Sequence, residues 1–179
     1  MYESLLRVIL KDYQKSAPNN KEPEILSVLE VFLSKSISDR YVHTIIEAVL
    51  VSTLEMIKNN FADFPDHRLY IFKVIYQLVK TNFLSLLQLS EKDFRLIIDT
   101  VVYALNHNLS YILEIGLDIL QLMIINLNSI EDKAQIFYRF FYKFILEHLL
   151  ILITDSAFET CNFYLIDSTF LNLLISIKI

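Results

Sequence analysis

Gly116 is the only glycine in 179 residues, and Pro18, Pro23 and Pro65 are the only prolines. A chain with so little turn chemistry has almost nothing from which to build β-hairpins or a glycine-rich phosphate loop. Leu, Ile, Lys, Glu and Asn recur instead in runs of helical length. The sequence therefore predicts an all-α protein. Its length suits one domain or one stretch of a repeat array with a substantial core.

Hydrophobic residues make up 54% of the chain, which raises the question of a membrane span. The longest stretch without a charge is "TVVYALNHNLSYIL", Thr100 to Leu113. It is too short for a hydrocarbon core that needs about 20 apolar residues, and it contains two Asn, a His and a Ser. Glu3, Arg7, Lys11 and Asp12 punctuate the first helix and argue against a signal peptide. One cysteine, Cys161, excludes an internal disulfide and cannot build a zinc site alone. The expectation is a soluble, intracellular protein without cofactor. A net charge of −5 with no basic run argues against nucleic acid as the main partner and favours, mildly, basic protein partners.

Pro and Asn clusters cut the chain into helices of 15 to 25 residues. The first runs from about Tyr2 to Lys15 and stops at "SAPNN". The second begins at "KEPEILSVLEVFLSK", with Pro23 near its first position and Ile25, Val28, Leu29 and Phe32 on one face. The third, about Asp39 to Asn59, is capped by Ser38. The fourth follows Phe64 and reaches Lys80, and "NFLSLLQL" makes a linker. Ser90, with Asp93 three residues on, caps the next. Further helices run from about Ser110 to Leu127 and, opened by Ser129 with Asp132, to Thr154. The last spans about Ser156 to Ile177.

Alternate helices start near Glu22, Pro65, Leu109 and Ser156, a spacing of 43 to 47 residues that falls in the range of HEAT and armadillo hairpins. Their partners share a pattern: "LLRVIL" at Leu5, "IIEAVL" at Ile45, "IIDTVV" at Ile97 and "ILEHLL" at Ile145. Four copies at one place in four hairpins predict an α-α superhelix, a HEAT-repeat solenoid of about three and a half hairpins. The hairpins fall at about 22–60, 65–107 and 109–154, with unpaired helices at 2–16 and 156–178. Both ends should expose an apolar face, so the array reads as a fragment of a longer protein.

Three features are candidate sites. "DFPDHR" gathers Asp63, Pro65, Asp66, His67 and Arg68: either His67 is a base oriented by an aspartate, or Pro65 and Asp66 mark a helix start, which the lack of a nucleophile favours. Gly116, in mid-helix, costs about 1 kcal/mol against Ala and marks a close approach of two helices. Glu47, Asp99 and Glu147 hold or adjoin the polar slot of the repeated pattern; they form either an acidic inner wall or an ordinary solvated face. His43 and Glu47, four apart, either supply two metal ligands, with no third in view, or form a surface pair worth a few tenths of a kcal/mol, which the missing third ligand favours. The aromatics from Phe137 to Phe144 cover all sides of their helix. No triad, phosphate loop or metal quartet supports an enzyme.

"LLRVILKDYQKSAP", "KEPEILSVLEVF", "TLEMIKNNFADFPDHR", "FRLIIDTVVYALNHN", "GLDILQLMIINL" and "AQIFYRFFYKFILEHL" follow one another as they do in the C-terminal repeats of the exportin-1 family, which this chain resembles from about Leu5 to Asp155. "DYQ", "EPEILS" and "FPDHR" are the most specific parts, and the resemblance thins after Asp155. It implies a nonenzymatic karyopherin-type receptor that carries leucine-rich-signal cargo out of the nucleus with Ran-GTP, shuttling between nucleus and cytoplasm past nucleoporins. The family's cargo groove lies in earlier repeats, and Cys161 does not match its reactive cysteine. A segment like this one is then expected to shape the C-terminal arch and share in the contact to Ran, with Glu47, Asp99 and Glu147 as candidate Ran-facing carboxylates. The alternative is a HEAT-type scaffold unrelated to Ran.

Overall fold

The computed structural model describes residues 2–35, 39–59, 64–107, 109–154 and 163–176. Among them every regular element is helical. Two compact units divide the chain, Met1–Leu89 and Ser90–Ile179. Both are built from helices packed against their neighbours in sequence and against the next helix but one, as in HEAT-type hairpins.

In the first unit, α1 (Tyr2–Lys15) ends before a 3-10 turn at Pro18–Asn20, and α2 (Pro23–Ser34) starts with proline at its first position. A 3-10 turn at Asp39–Tyr41 then leads into one continuous helical stretch. It consists of α3 (Val42–Ile45), a π-helical segment (Ile46–Val51) and α4 (Ser52–Asn59). The proposed cap Ser38 lies outside the described residues. Helix α5 (Pro65–Thr81) follows, and the "NFLSLLQL" stretch is not a plain linker: Phe83–Leu86 forms the short helix α6, because Leu86 is fully buried and anchors the turn.

Helix α2 packs along α5, and α1 against the π segment. The buried stripe of α2 is Leu26, Leu29 and Leu33, not the expected Ile25–Val28–Leu29–Phe32 face; Val28 remains 43% exposed and Val31 58%. Both stripes satisfy helical periodicity and share Leu29, so the position of α5 decides which is covered. Burial of each leucine contributes about 2 kcal/mol.

The second unit contains α7 (Glu91–Leu105), α8 (Ser110–Asn128), α9 (Glu131–Thr154) and α10 (Phe163–Ser176). The Ser90 cap forms as the sequence predicts: the Asp93 amide donates to Ser90 Oγ at 3.2 Å, and Ser90 Oγ donates back to the Asp93 carboxylate at 2.6 Å. Helix α8 is the core of this unit and packs on α7, α9 and α10. By length and composition it could cross a membrane, but Ile112, Leu113, Leu117, Leu120, Met123 and Ile124 are packed inside the unit, and Glu114 and Asp118 lie on its outer face. Residues 155–162, where the last helix was expected to begin and where Cys161 sits, lie outside the described set.

The aromatic run of α9 divides by face. Phe137 and Phe141 meet Phe94 of α7 at ring-centroid distances of 6.1 and 5.8 Å, edge-on as their quadrupoles prefer. Phe140, on the other side, is 63% exposed.

Candidate interaction site

The "DFPDHR" segment is the start of α5. Pro65 occupies the first helical position, where the missing N–H costs nothing, and Asp66 lies exposed in the first turn, where its charge opposes the helix dipole. Asp63 lies outside the described residues. His67 and Arg68 turn inward, with only 6% and 8% of their surfaces exposed. His67 Nε2 lies 2.9 Å from the carbonyl of Lys21, and its ring meets Phe64 edge-on. Burial holds the His67 pKa below the ordinary histidine value, against the opposing pull of the Lys21 carbonyl and of Asp66, Glu24 and Glu22. A ring this enclosed, hydrogen-bonded to main chain, docks α5 onto the loop between α1 and α2.

Lys21, at the other end of that hydrogen bond, is a buried polar hub without any signature in the sequence. Its ammonium donates to the Tyr13 carbonyl in the last turn of α1, lies 4.4 Å from the Tyr13 ring centroid and approaches Ser52 Oγ at 3.5 Å. A cation placed on the terminal carbonyls of a helix and over an aromatic face is favourably sited on both counts. Desolvation lowers its pKa. Tyr13, completely buried, shares a 2.8 Å hydrogen bond with Thr53, and burial pushes its phenol up to about 12 despite that bond. A second clamp closes the unit near α6: Asn82 Nδ2 donates to Asp39 Oδ1 at 2.8 Å, and Ser85 and Asn82 together hold the Asp39 carboxyl below its ordinary range.

The three candidate carboxylates are all exposed, but each is partnered one turn earlier on its own helix. Glu47 lies 3.5 Å from His43, Asp99 3.9 Å from Arg95 and Glu147 3.8 Å from Lys143. The Arg95–Asp99 and Lys143–Glu147 pairs set opposite charges against each other. The polar slot is thus a series of i, i+4 pairs on solvated faces rather than bare acid, and such pairs add only a few tenths of a kcal/mol each. The feature was legible in the spacing of His43, Arg95 and Lys143.

Gly116 faces α7. A β-carbon there would lie 2.7 Å from Ala104 Cβ and 3.4 Å from the Ala104 carbonyl carbon, so the absence of a side chain lets the two helices meet. Among the described residues no group of three or more His, Cys, Asp or Glu could hold a metal ion. Apolar side chains stand exposed on α1 (Leu5, Val8), on α2 (Val28, Val31) and on α10 (Tyr164, Leu171, Ile175).

These observations describe packing surfaces and docking clamps. Residues 1–178 match the family described as CRM1 C terminal. The chain belongs to the CRM1 C-terminal family. Among similar proteins, exportin-1 of Dictyostelium discoideum is 35% identical over 156 residues, covering 86% of this chain and 15% of that protein. Exportin-1 of Drosophila melanogaster is 34% identical over 157 residues, again 86% of this chain and 15% of the relative. Exportin-1 of Schizosaccharomyces pombe is 30% identical over 157 residues, 86% of this chain and 14% of the relative. The chain thus spans about 15% of the length of the exportins it matches. His67 and Gly116 lie in "FPDHR" and "GLDILQL", and their partners Lys21 and Ala104 in "KEPEILSVLEVF" and "FRLIIDTVVYALNHN", all stretches that carried the resemblance.

Proposed function

We propose that this chain is a C-terminal segment of a nuclear export receptor of the karyopherin-β type. In this reading the complete receptor binds leucine-rich-signal cargo through repeats outside the 179 residues. It couples that binding to Ran-GTP, passes nucleoporins and shuttles between nucleus and cytoplasm without catalysing a reaction. The segment supplies helical repeats to the C-terminal arch and shares in the contact to Ran, with Glu47, Asp99 and Glu147 as the candidate contacts. The observation that carries the proposal is the family match over residues 1–178 together with an exportin-1 relative 35% identical over 86% of the chain. Each ligand would favour the same receptor conformation, and so each would strengthen the other reciprocally.

The test is a chimera in which this chain replaces the matching segment of Drosophila melanogaster exportin-1. Binding of a labelled leucine-rich peptide is measured with and without Ran locked in its GTP state. Tightening by about 5- to 150-fold, the usual span of allosteric coupling, is the expected result. Peptide binding indifferent to Ran, in a chimera whose circular dichroism matches the parent, would instead point to a helical scaffold unrelated to Ran.

A further inference from the structure

The segment Ile46–Val51 winds as a π-helix inside a stretch whose apolar pattern does not ask for one. Val42, Ile45, Ile46, Val49, Leu50, Thr53, Met56 and Ile57 are all buried, and their spacings of three and four fit an unbroken α-helix. Ala48 falls off that stripe, yet it is only 2% exposed. The segment therefore departs from an α-helix in how its main chain is bonded and not in the spacing of its apolar residues.

At the end of the wide turn the Ser52 amide donates to the Val49 carbonyl, one residue short of the α-helical acceptor. The Ala48 carbonyl, the acceptor an α-helical Ser52 amide would use, receives the Ser52 hydroxyl at 2.7 Å. Lys21 Nζ stands 3.5 Å from the same hydroxyl oxygen, on the side where that oxygen accepts. A hydroxyl that accepts from an ammonium is a better donor to its own acceptor. Helix α1 packs on the π segment, and the Lys21 ammonium is also bound to Tyr13 of α1, so the wide register and the seat of α1 are joined through one side chain.

We propose that Ile46–Val51 is an adjustable turn of the first unit, held in its wide register by the Ser52 hydroxyl under Lys21 and able to pass to an α register when that hold is removed. Passing to the α register returns the Ser52 amide to the Ala48 carbonyl. It turns α3, with the exposed His43, by about 100° relative to α4, the rotation that one residue represents. The surface offered by α3 and the seat of α1 then change together.

Amide hydrogen exchange on the 179-residue chain tests this at single residues. In the unmodified protein the amides of residues 46–51 should exchange about fivefold to tenfold faster than those of Thr53, Met56 and Ile57, the factor one ordinary hydrogen bond represents. Ser52→Ala should slow residues 46–52 towards the rate of α4, whereas Ser52→Thr, which keeps the hydroxyl, should leave them unchanged. Uniform protection along 46–57 in the unmodified chain overturns the proposal, and this comparison stands even if Ser52→Ala fails to fold. Exchange in Ser52→Ala that matches the unmodified chain within twofold also overturns it.

Discussion

Replacing Gly116 with alanine isolates the contact that sets the distance between α7 and α8. In an exposed helix the change would stabilise by about 1 kcal/mol, because alanine is the better helix former. Here the new methyl would lie 2.7 Å from Ala104 Cβ, closer than β-carbons approach. Neither atom can escape by rotating a side chain, since both are bonded directly to helical backbone. Relief requires the helices to part, and overpacking of this kind costs about 1 to 3 kcal/mol, towards the upper end when the obstacle is rigid. The expected net loss is about 2 kcal/mol, or a fall in melting temperature of about 4 to 8 °C for a chain of this size. Urea unfolding followed by circular dichroism reads it, with Ala104→Gly as the second arm of a double-mutant cycle. Ala104→Gly alone should cost about 1 kcal/mol of helix propensity, and the double variant should be clearly more stable than the two losses summed. A Gly116→Ala protein as stable as the parent, or additivity in the cycle, would refute the steric reasoning.

Tyr13→Phe leaves the buried Thr53 hydroxyl without its partner and should cost about 1 to 2 kcal/mol, whereas Tyr13→Phe with Thr53→Val should cost less than the sum of the singles; chemical denaturation of the four proteins decides. Because the folded-state pKa of His67 lies below the ordinary value of 6.5, the unfolded chain takes up the proton first. Its contribution to stability is therefore complete above pH 6.5 and is lost as pH falls from there towards the lowered value. His67→Gln should flatten that part of a stability-against-pH curve, and an unchanged slope would remove His67 as its source. Reversing Glu47, Asp99 and Glu147 to lysine in the exportin chimera should weaken Ran-GTP binding while changing stability by no more than about 1 kcal/mol, as for exposed pairs; unchanged affinity would dismiss these residues as contacts.

What could be read from the sequence was whatever local chemistry decides. Pro65 and Asp66 announce a helix start by their own backbone and charge, Ser90 and Asp93 a cap, and Gly116 a close approach, because each cost or preference is settled within one turn. The side of α2 that is buried was not legible: two apolar stripes fit the period, and α5, some forty residues on, selects one. Lys21 reads as a loop charge after "PNN", and only folding brings the Tyr13 carbonyl and Ser52 to it. The π segment was hidden for a related reason, since its apolar spacings are those of an ordinary α-helix and the departure lies in hydrogen bonds. Glu47, Asp99 and Glu147 were visible as acids, but the pairing that compensates them appears only when the residue four places earlier is read with each.

Tyr13 also gives the first unit an optical reporter. The chain contains no tryptophan, so tyrosine dominates its near-ultraviolet absorption and no indole band obscures the appearance of phenolate. The Tyr13 hydroxyl is enclosed, held by Thr53, and ionises only at about 12. In an opened chain the same phenol would ionise near the ordinary value of 10. In alkaline stopped flow, its phenolate should therefore appear only as fast as the first unit opens, which turns a passive core residue into a clock for that opening.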